Sequence, residues 1–345
     1  MEDKVYLKPF VHIFKDNLKY IFFDYGSEKN ISINSKINLD FYMKSFGNDN
    51  RCESLKKEYK ENFSYLKEMD EYLFKKGFLY ITDTEIENKI QESLLYYTNH
   101  DFDLQKSIKK MKDIRIAIVG IGGTGSWVCQ QISMNQFGYL KIIDPDKIDY
   151  SNLQRQTLYT LNDVGNFKVD AMKQHIQSQN KEINIDTSYK KINDYNDCVE
   201  EFNQIDLIVC TADEPSSTEI SKLINLYCIK EKKKFITTLG YTNAVVNLPF
   251  TYLPSKYQSS CVNCFYNTNE FFKKHELINK GIGGAPLTPI SSILGSLIML
   301  EVLNITISDD FSIFDSIKGT FNIHNLNFST QTSQKDPNCD LCSKE

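Results

Sequence analysis

Apolar positions in the first third of the chain recur at helical spacing. Between Ser54 and Phe78 they fall at Leu55, Tyr59, Phe63, Leu66, Met69 and Leu73, steps of three and four that line one helix face. Gly77 closes the run, and residues 78–81 read as a short strand. Upstream, the aromatic stretch 20–25, a turn at Gly26 and a polar run ending near Asn38 read as a hairpin. Strands and helices together predict a small winged-helix-like α+β domain over residues 1–110. Its last helix mixes Lys67, Glu68, Asp70, Glu71, Lys75 and Lys76, which disfavours DNA and favours a docked peptide or protein.

From Ile114 onward short apolar runs alternate with helical stretches. Residues 114–120 end in glycine, as a buried parallel strand should, and 125–137 has the length of the following helix. Residues 140–144, 207–211 and 235–238 are further strands, with 220–232 as a helix between the last two. The alternation predicts an α/β core over residues 111–345. The polar stretch 329–335 reads as a linker to the terminal cysteines.

At 345 residues the chain is long enough for two domains. A hydrophobic fraction of 41% and a charged fraction of 25% fit a soluble globular protein, and no apolar run approaches the ~18 residues of a membrane span. The first eight residues lack the apolar core of a secretory leader, so a cytoplasmic location is expected. The net charge of -5, with lysines interleaved among acids, gives no footprint for nucleic acid. Arginine occurs only at Arg51, Arg115 and Arg155, which gives weight to any arginine inside a motif.

The segment GIGGTG, with Gly120, Gly122, Gly123 and Gly125, sits between a predicted strand and a predicted helix. There glycines let the backbone approach a phosphate that the helix N-terminus stabilises. A tight turn without a ligand and a dinucleotide dehydrogenase both remain open on this string alone. Asp144 follows about twenty residues later, where a carboxylate would accept ribose hydroxyls. Asp146, Asn152-Leu153-Gln154-Arg155-Gln156 and Lys168 come next, and Thr211-Ala212-Asp213 ends a later strand. The Asp213 carboxylate offers either a hard oxygen ligand or a cap for the helix near Pro215.

The nine cysteines point to metal binding or reduced core thiols rather than disulfides. Cys261-Val-Asn-Cys264 and Cys339-Asp-Leu-Cys342 are paired knuckles that predict a closed, structural four-thiolate zinc site. Cys52, Cys129, Cys198, Cys210 and Cys228 read as core or incidental thiols.

The glycine loop, ribose aspartate, N-L-x-R-Q element and downstream lysine, in this order, resemble the ThiF/MoeB superfamily of adenylating enzymes, relatives of the ubiquitin-activating enzymes. That resemblance implies a Rossmann-like ATP-binding core in which Arg155 and Lys168 neutralise the transition state while Asp213 holds Mg2+ on the phosphates. Within the superfamily the N-terminal domain, Gly240-Tyr241-x-Asn243, the Ala285-Pro286 to Pro289 stretch and the terminal knuckle resemble the MccB type. These enzymes adenylate the C-terminus of a short ribosomal precursor peptide, the microcin C precursor. A homodimer and, for a peptide ending in asparagine, a succinimide route to an N–P linkage are implied. Activation of a ubiquitin-like sulfur-carrier protein and a non-catalytic peptide-binding scaffold are the alternatives. Family members often send an arginine into the partner's site from the segment before the first core strand; here 88–97 carries only Lys89. No residue outside the zinc ligands is placed to form a thioester, so the reaction is expected to stop at an adenylated product.

Overall fold

The structure is a computed structural model that describes residues 5–8, 11–25, 28–48, 50–81, 104–242, 244–255, 259–266, 287–308 and 311–342. Gly26, Lys89, Asn243, Ala285 and Pro286 lie outside them. The chain divides into two compact units, Met1–Lys110 and Met111–Glu345.

In the first unit β2 (Val11–Asp16), β3 (Lys19–Asp24) and β4 (Lys29–Asn34) form an antiparallel meander, while β1 (Val5–Leu7) pairs with β5 (Leu79–Ile81). Alternation in β3 turns Tyr20, Phe22 and Asp24 inward. The helical run of the sequence is not one helix. It breaks into α2 (Arg51–Tyr59) and α3 (Phe63–Lys75), after the short α1 (Asp40–Lys44). A 3-10 turn at Lys60–Asn62 separates them, with Lys60 at φ +38°. Such a turn advances side chains at nearly the helical rate, so the apolar spacing passes through it unbroken. Leu55, Leu66, Met69 and Leu73 still share one core.

Asp70 is not one of the surface charges of its helix. It is buried against Arg51, which is 0% exposed, through bonds of 2.8 and 2.9 Å from the two guanidinium nitrogens. The Tyr42 hydroxyl donates to the same carboxylate at 2.6 Å, and Arg51 Nε donates to Ser45 Oγ at 3.0 Å. Its guanidinium lies over the rings of Tyr42 and Phe46. This network ties α1, α2 and α3 together. We expect Asp70→Ala to destabilise the unit by about 3–5 kcal/mol, read from urea melts, because it strands a buried cation.

The second unit is built on a six-stranded sheet. Its order is β13 (Phe250–Tyr252), β10 (Lys234–Thr237), β9 (Leu207–Cys210), β6 (Arg115–Val119), β7 (Tyr139–Ile143) and β8 (Asn184–Ser188). All neighbours are parallel except β13, which runs antiparallel to β10 at one edge. Strands β6, β7 and β9 are almost wholly buried, as their continuous apolar runs require. Helix α4 (Leu104–Asp113) runs through the division at Lys110 and leads into β6, and α5 (Gly123–Ser133), α6 (Lys168–Gln179), α7 (Tyr195–Phe202) and α8 (Ser217–Lys230) alternate with these strands.

Two readings of the sequence change here. The stretch 329–335 is not simply a linker, since β15 (Asn327–Thr332) pairs along its whole length with β14 (Ile317–Asn322). Every side chain of β15 is exposed, so no apolar alternation marks it. With β11 (Tyr241–Thr242) and β12 (Val245–Asn247) these strands form a four-stranded antiparallel sheet. The second change concerns α10 (Thr288–Ile307), which is long and apolar enough by composition to span a bilayer. Its apolar window is 72% buried within the fold, so it is a core helix. Small residues let it approach α5: a Cβ on Gly295 would lie 2.7 Å from Trp127 Cβ.

Candidate functional site

A cleft of about 750 Å³ opens beyond the C-terminal ends of the parallel strands, where α/β sheets present their loops. Gly120, Gly122 and Gly123 form one wall as the chain turns from β6 into α5. Gly120 has φ +82°, and a Cβ there would stand 2.7 Å from the Ala212 backbone. Gly125 sits behind the loop, where a Cβ would be 2.0 Å from the Gly120 carbonyl oxygen. Only glycine permits this crossing of strand and helix. We expect Gly120→Ala to destabilise the unit by roughly 2–4 kcal/mol through left-handed strain and overpacking, measured as a lower melting midpoint.

Asp144 ends β7 and is 5% exposed. Its carboxylate accepts from the Ile121 amide at 2.8 Å and the Asp146 amide at 2.9 Å, so it binds the glycine loop to the β7 loop. Burial raises its pKa above the usual carboxylate value, opposed by Lys168 and these two amides. Asp146 stands further out with a side chain 63% exposed. Lys168, at the first turn of α6, is 6% exposed and not a surface cation. Its Nζ lies 2.7 Å from Asp146 Oδ2 and 3.7 Å from Asp144 Oδ1.

The N-L-x-R-Q element enters through a 3-10 turn in which Asp149 and Asn152 cap each other. That turn carries Asn152, Arg155 and Gln156 onto the cleft wall. Arg155 is held by its chain as well as its head group: Trp127 Nε1 donates to its carbonyl at 3.2 Å, and its Nη1 donates to the Ser151 carbonyl at 3.2 Å. Gln156 is 5% exposed, and its Oε1 has no partner among the described residues. Asp213 lines the same cleft just beyond β9. It does not cap α8, because Ser216 does, accepting from the Glu219 amide at 3.2 Å.

The cleft therefore gathers every candidate of the sequence reading except Gly125, which shapes it from behind, and the cysteines. Lys190, Lys191 and Thr238 also line it and were not singled out, and Tyr241 of the Gly240-Tyr241-x-Asn243 element lines it as well. Lys190 and Lys191 follow β8, a strand whose pattern carries no clear apolar alternation, so the signal that marks strand-end loops was absent there. Lys190 is tied to Asp197 and Glu200, and Lys191 to Glu214 across the mouth. The Tyr241 hydroxyl shares a hydrogen bond of 2.8 Å with Ser291 Oγ beside Gly123.

Away from the cleft, Cys261, Cys264, Cys339 and Cys342 are all buried with their sulfurs within 4.8 Å of one another. Three of the separations are 3.5–3.6 Å. A tetrahedral thiolate site with bonds of about 2.3 Å has edges of roughly 3.8 Å, so the donor set and spacing fit zinc. Amides of Cys264 and Asp336 and the Asn263 side chain point at the sulfurs and favour thiolates. The Cys261 thiol, with the Asp336 amide, pulls Cys264 down to about 5, while burial pushes Cys342 up to about 12. Elsewhere burial raises the thiol pKa of Cys129, Cys198, Cys210 and Cys228, to about 12 and about 11 for Cys198 and Cys210. Such thiols are poor nucleophiles.

A parallel sheet with a glycine-rich strand-to-helix turn, a strand-end cleft and a four-cysteine cluster that could hold zinc define a Rossmann-like α/β protein. The model of the ThiF family matches residues 98–343, and the chain belongs to that family. A curated relative, the adenylyltransferase and sulfurtransferase MOCS3 of Culex quinquefasciatus, is 24% identical over 258 residues, covering 74% of this chain. The chain spans 55% of that relative's length. Among solved structures, E. coli MccB with ATP superposes with a TM-score of 0.76 at 22% identity, covering 98% of this chain and 99% of that one. E. coli MccB with succinimide gives 0.78 at 21% identity, covering 99% of both. At this identity the likeness is one of fold.

Proposed function

We propose that this protein adenylates a carboxylate with Mg-ATP and releases pyrophosphate. The observation that carries the reading is the convergence of the glycine loop, Arg155, Lys168 and Asp213 on one cleft. The triphosphate lies along the glycine loop at the N-terminus of α5, where free amides and the helix dipole favour an anion. The ribose-accepting role expected of Asp144 passes in this reading to the exposed Asp146, because the Asp144 carboxylate is buried and taken up by the Ile121 and Asp146 amides, which keep the loop in register. The orphaned Gln156 oxygen accepts a donor from the nucleoside, and Asn152 holds the turn that presents Arg155.

Arg155 and Lys168 neutralise the charge that gathers on the α-phosphate as the carboxylate adds and pyrophosphate departs. Lys168 does so by exchanging its bond to Asp146 for one to phosphate. A magnesium ion would be held by Asp213 and would supply further charge neutralisation on the phosphate oxygens. Zinc on the four cysteines would be structural, since four protein ligands leave no open position.

The acyl substrate in this reading is the C-terminus of a short ribosomal peptide, docked by the N-terminal unit of a cytoplasmic homodimer. The full-length likeness to the MccB fold supports it, because that likeness includes the N-terminal unit. A succinimide step leading to an N–P linkage follows if the peptide ends in asparagine. A second reading, activation of a sulfur-carrier protein, is favoured by the name of the curated relative, an adenylyltransferase and sulfurtransferase. Pyrophosphate release with Mg-ATP should depend on a short peptide, and not on a small protein ending in Gly-Gly. The reverse dependence selects the second reading, and release with neither removes the adenylation reading.

A further inference from the structure

Tyr241 opens β11 and lines the cleft, and its hydroxyl meets Ser291 Oγ at 2.8 Å. The two hydroxyls share one hydrogen bond, so one of their two hydrogens is left over. Burial decides which. Ser291 is 0% exposed, and its Oγ has no other partner among the described residues. A hydrogen kept by Ser291 would be buried without an acceptor, so Ser291 donates and Tyr241 accepts. The Tyr241 O–H then has no acceptor among the described residues and is left for whatever occupies the cleft.

Three side chains enclose one point above the glycine loop. A Cβ added to Gly123 would lie 3.0 Å from Ser291 Oγ, 3.6 Å from Arg155 Cδ and 3.6 Å from the Tyr241 hydroxyl. Gly123 is also the first residue of α5, whose opening amides lack partners within the helix and favour an anion. The hydroxyl is held from both sides. Asn247 fixes the Gly240 carbonyl through its amide at 3.0 Å and its side chain at 3.2 Å, and the Gly240 amide donates to Thr238 Oγ1 at 3.0 Å. Ser291 belongs to α10, which packs through Gly295 on Trp127, the residue that donates to the Arg155 carbonyl. Packing thus links Arg155 and the hydroxyl pair before any ligand arrives.

We propose that Tyr241 donates its O–H to an anionic oxygen of the reacting group, a phosphoryl oxygen of ATP or an oxygen of the acyl carboxylate, with Ser291 as the positioning residue that orients it. The inference rests on the adenylation reading. Tyr241 keeps its proton throughout, and its hydrogen bond strengthens as charge gathers beside Arg155.

The test uses the full chain, Mg-ATP and two acyl probes, a short synthetic peptide ending in asparagine and a ubiquitin-like protein ending in Gly-Gly. Variants are compared on the probe that supports pyrophosphate release by the wild type. Tyr241→Phe keeps the ring and should lower kcat by about 10- to 100-fold, the size of one hydrogen bond to a charged group. Affinity for a non-hydrolysable ATP analogue should stay close to that of the wild type. A raised KM for the acyl probe alongside this loss assigns the oxygen to the carboxylate, and an unchanged KM assigns it to the phosphate. Because phenylalanine strands the Ser291 hydrogen, the double variant Tyr241→Phe with Ser291→Ala removes that penalty and serves if the single variant does not fold. It should melt no lower than the single variant and remain as slow. An unchanged kcat in Tyr241→Phe, activity restored in the double variant, or analogue affinity falling as far as kcat overturns the inference and leaves adenylation standing. Absence of release by the wild type with both probes overturns both.

Discussion

Arg155→Ala lowers the rate of pyrophosphate release by about 100- to 1000-fold, the cost of removing one preorganised charge donor from a developing anion. The geometry explains why no neighbour substitutes. The main chain of Arg155 is fixed by Trp127 and the turn before it is capped from both sides, so the guanidinium approaches from a rigid wall. Lys168, 2.7 Å from Asp146 at rest, is the other cation of the proposed pair and already has its own phosphate contact to make, so it cannot make that of Arg155 as well. Arg155→Lys should recover little, because an ammonium cannot bind a phosphate through two parallel bonds. Affinity for an ATP analogue should fall far less than turnover. Equal losses in both would mean that Arg155 serves binding alone, and an unchanged rate would remove it from the chemistry.

Removing zinc is expected to have the second large effect. Metal binding by four thiolates is worth about 10 kcal/mol or more in small zinc modules. This unit has a large core of its own, so only part of that sum should appear as lost stability. A chelator, or Cys339→Ser, should lower the melting midpoint by at least ~10 °C, where 1 kcal/mol moves a unit of this size by about 2–4 °C. The protein should bind one zinc per chain, and binding should weaken as pH falls and the thiolates protonate. A full-strength transition in metal-free protein would contradict the assignment.

The core of the site was legible because its chemistry depends on unusual residues at fixed spacing. Glycines 120, 122, 123 and 125, the N-L-x-R-Q element and the two knuckles each leave a mark that composition does not imitate. The glycine loop and the residues after β7 and β9 take their places from the strand ends that carry them. What stayed hidden depends on partners distant in the chain. Asp70 reads as one of the mixed charges of its helix, and nothing in the chain pairs it with Arg51 until folding brings α2 against α3. The strand β15 is exposed on every side chain and is specified only by its pairing with β14. A cavity of about 210 Å³ beside the cleft draws on the turn after β10 and on β12, β13, β14 and β15 together, and no local pattern encodes such a meeting.

The two knuckles also set an order of events at the ribosome. The first pair of thiols, Cys261 just before α9 (Val262–Tyr266) and Cys264 within it, emerges and waits, unligated, while the long helix α10 and the hairpin of β14 and β15 are made. Only when Cys339 and Cys342 arrive does the site close. A nascent chain starved of zinc, or met by an oxidant during that interval, keeps its sheet but leaves its last segment unfastened. Protease digestion of protein made under zinc limitation should therefore begin from that segment and spare β6 to β10.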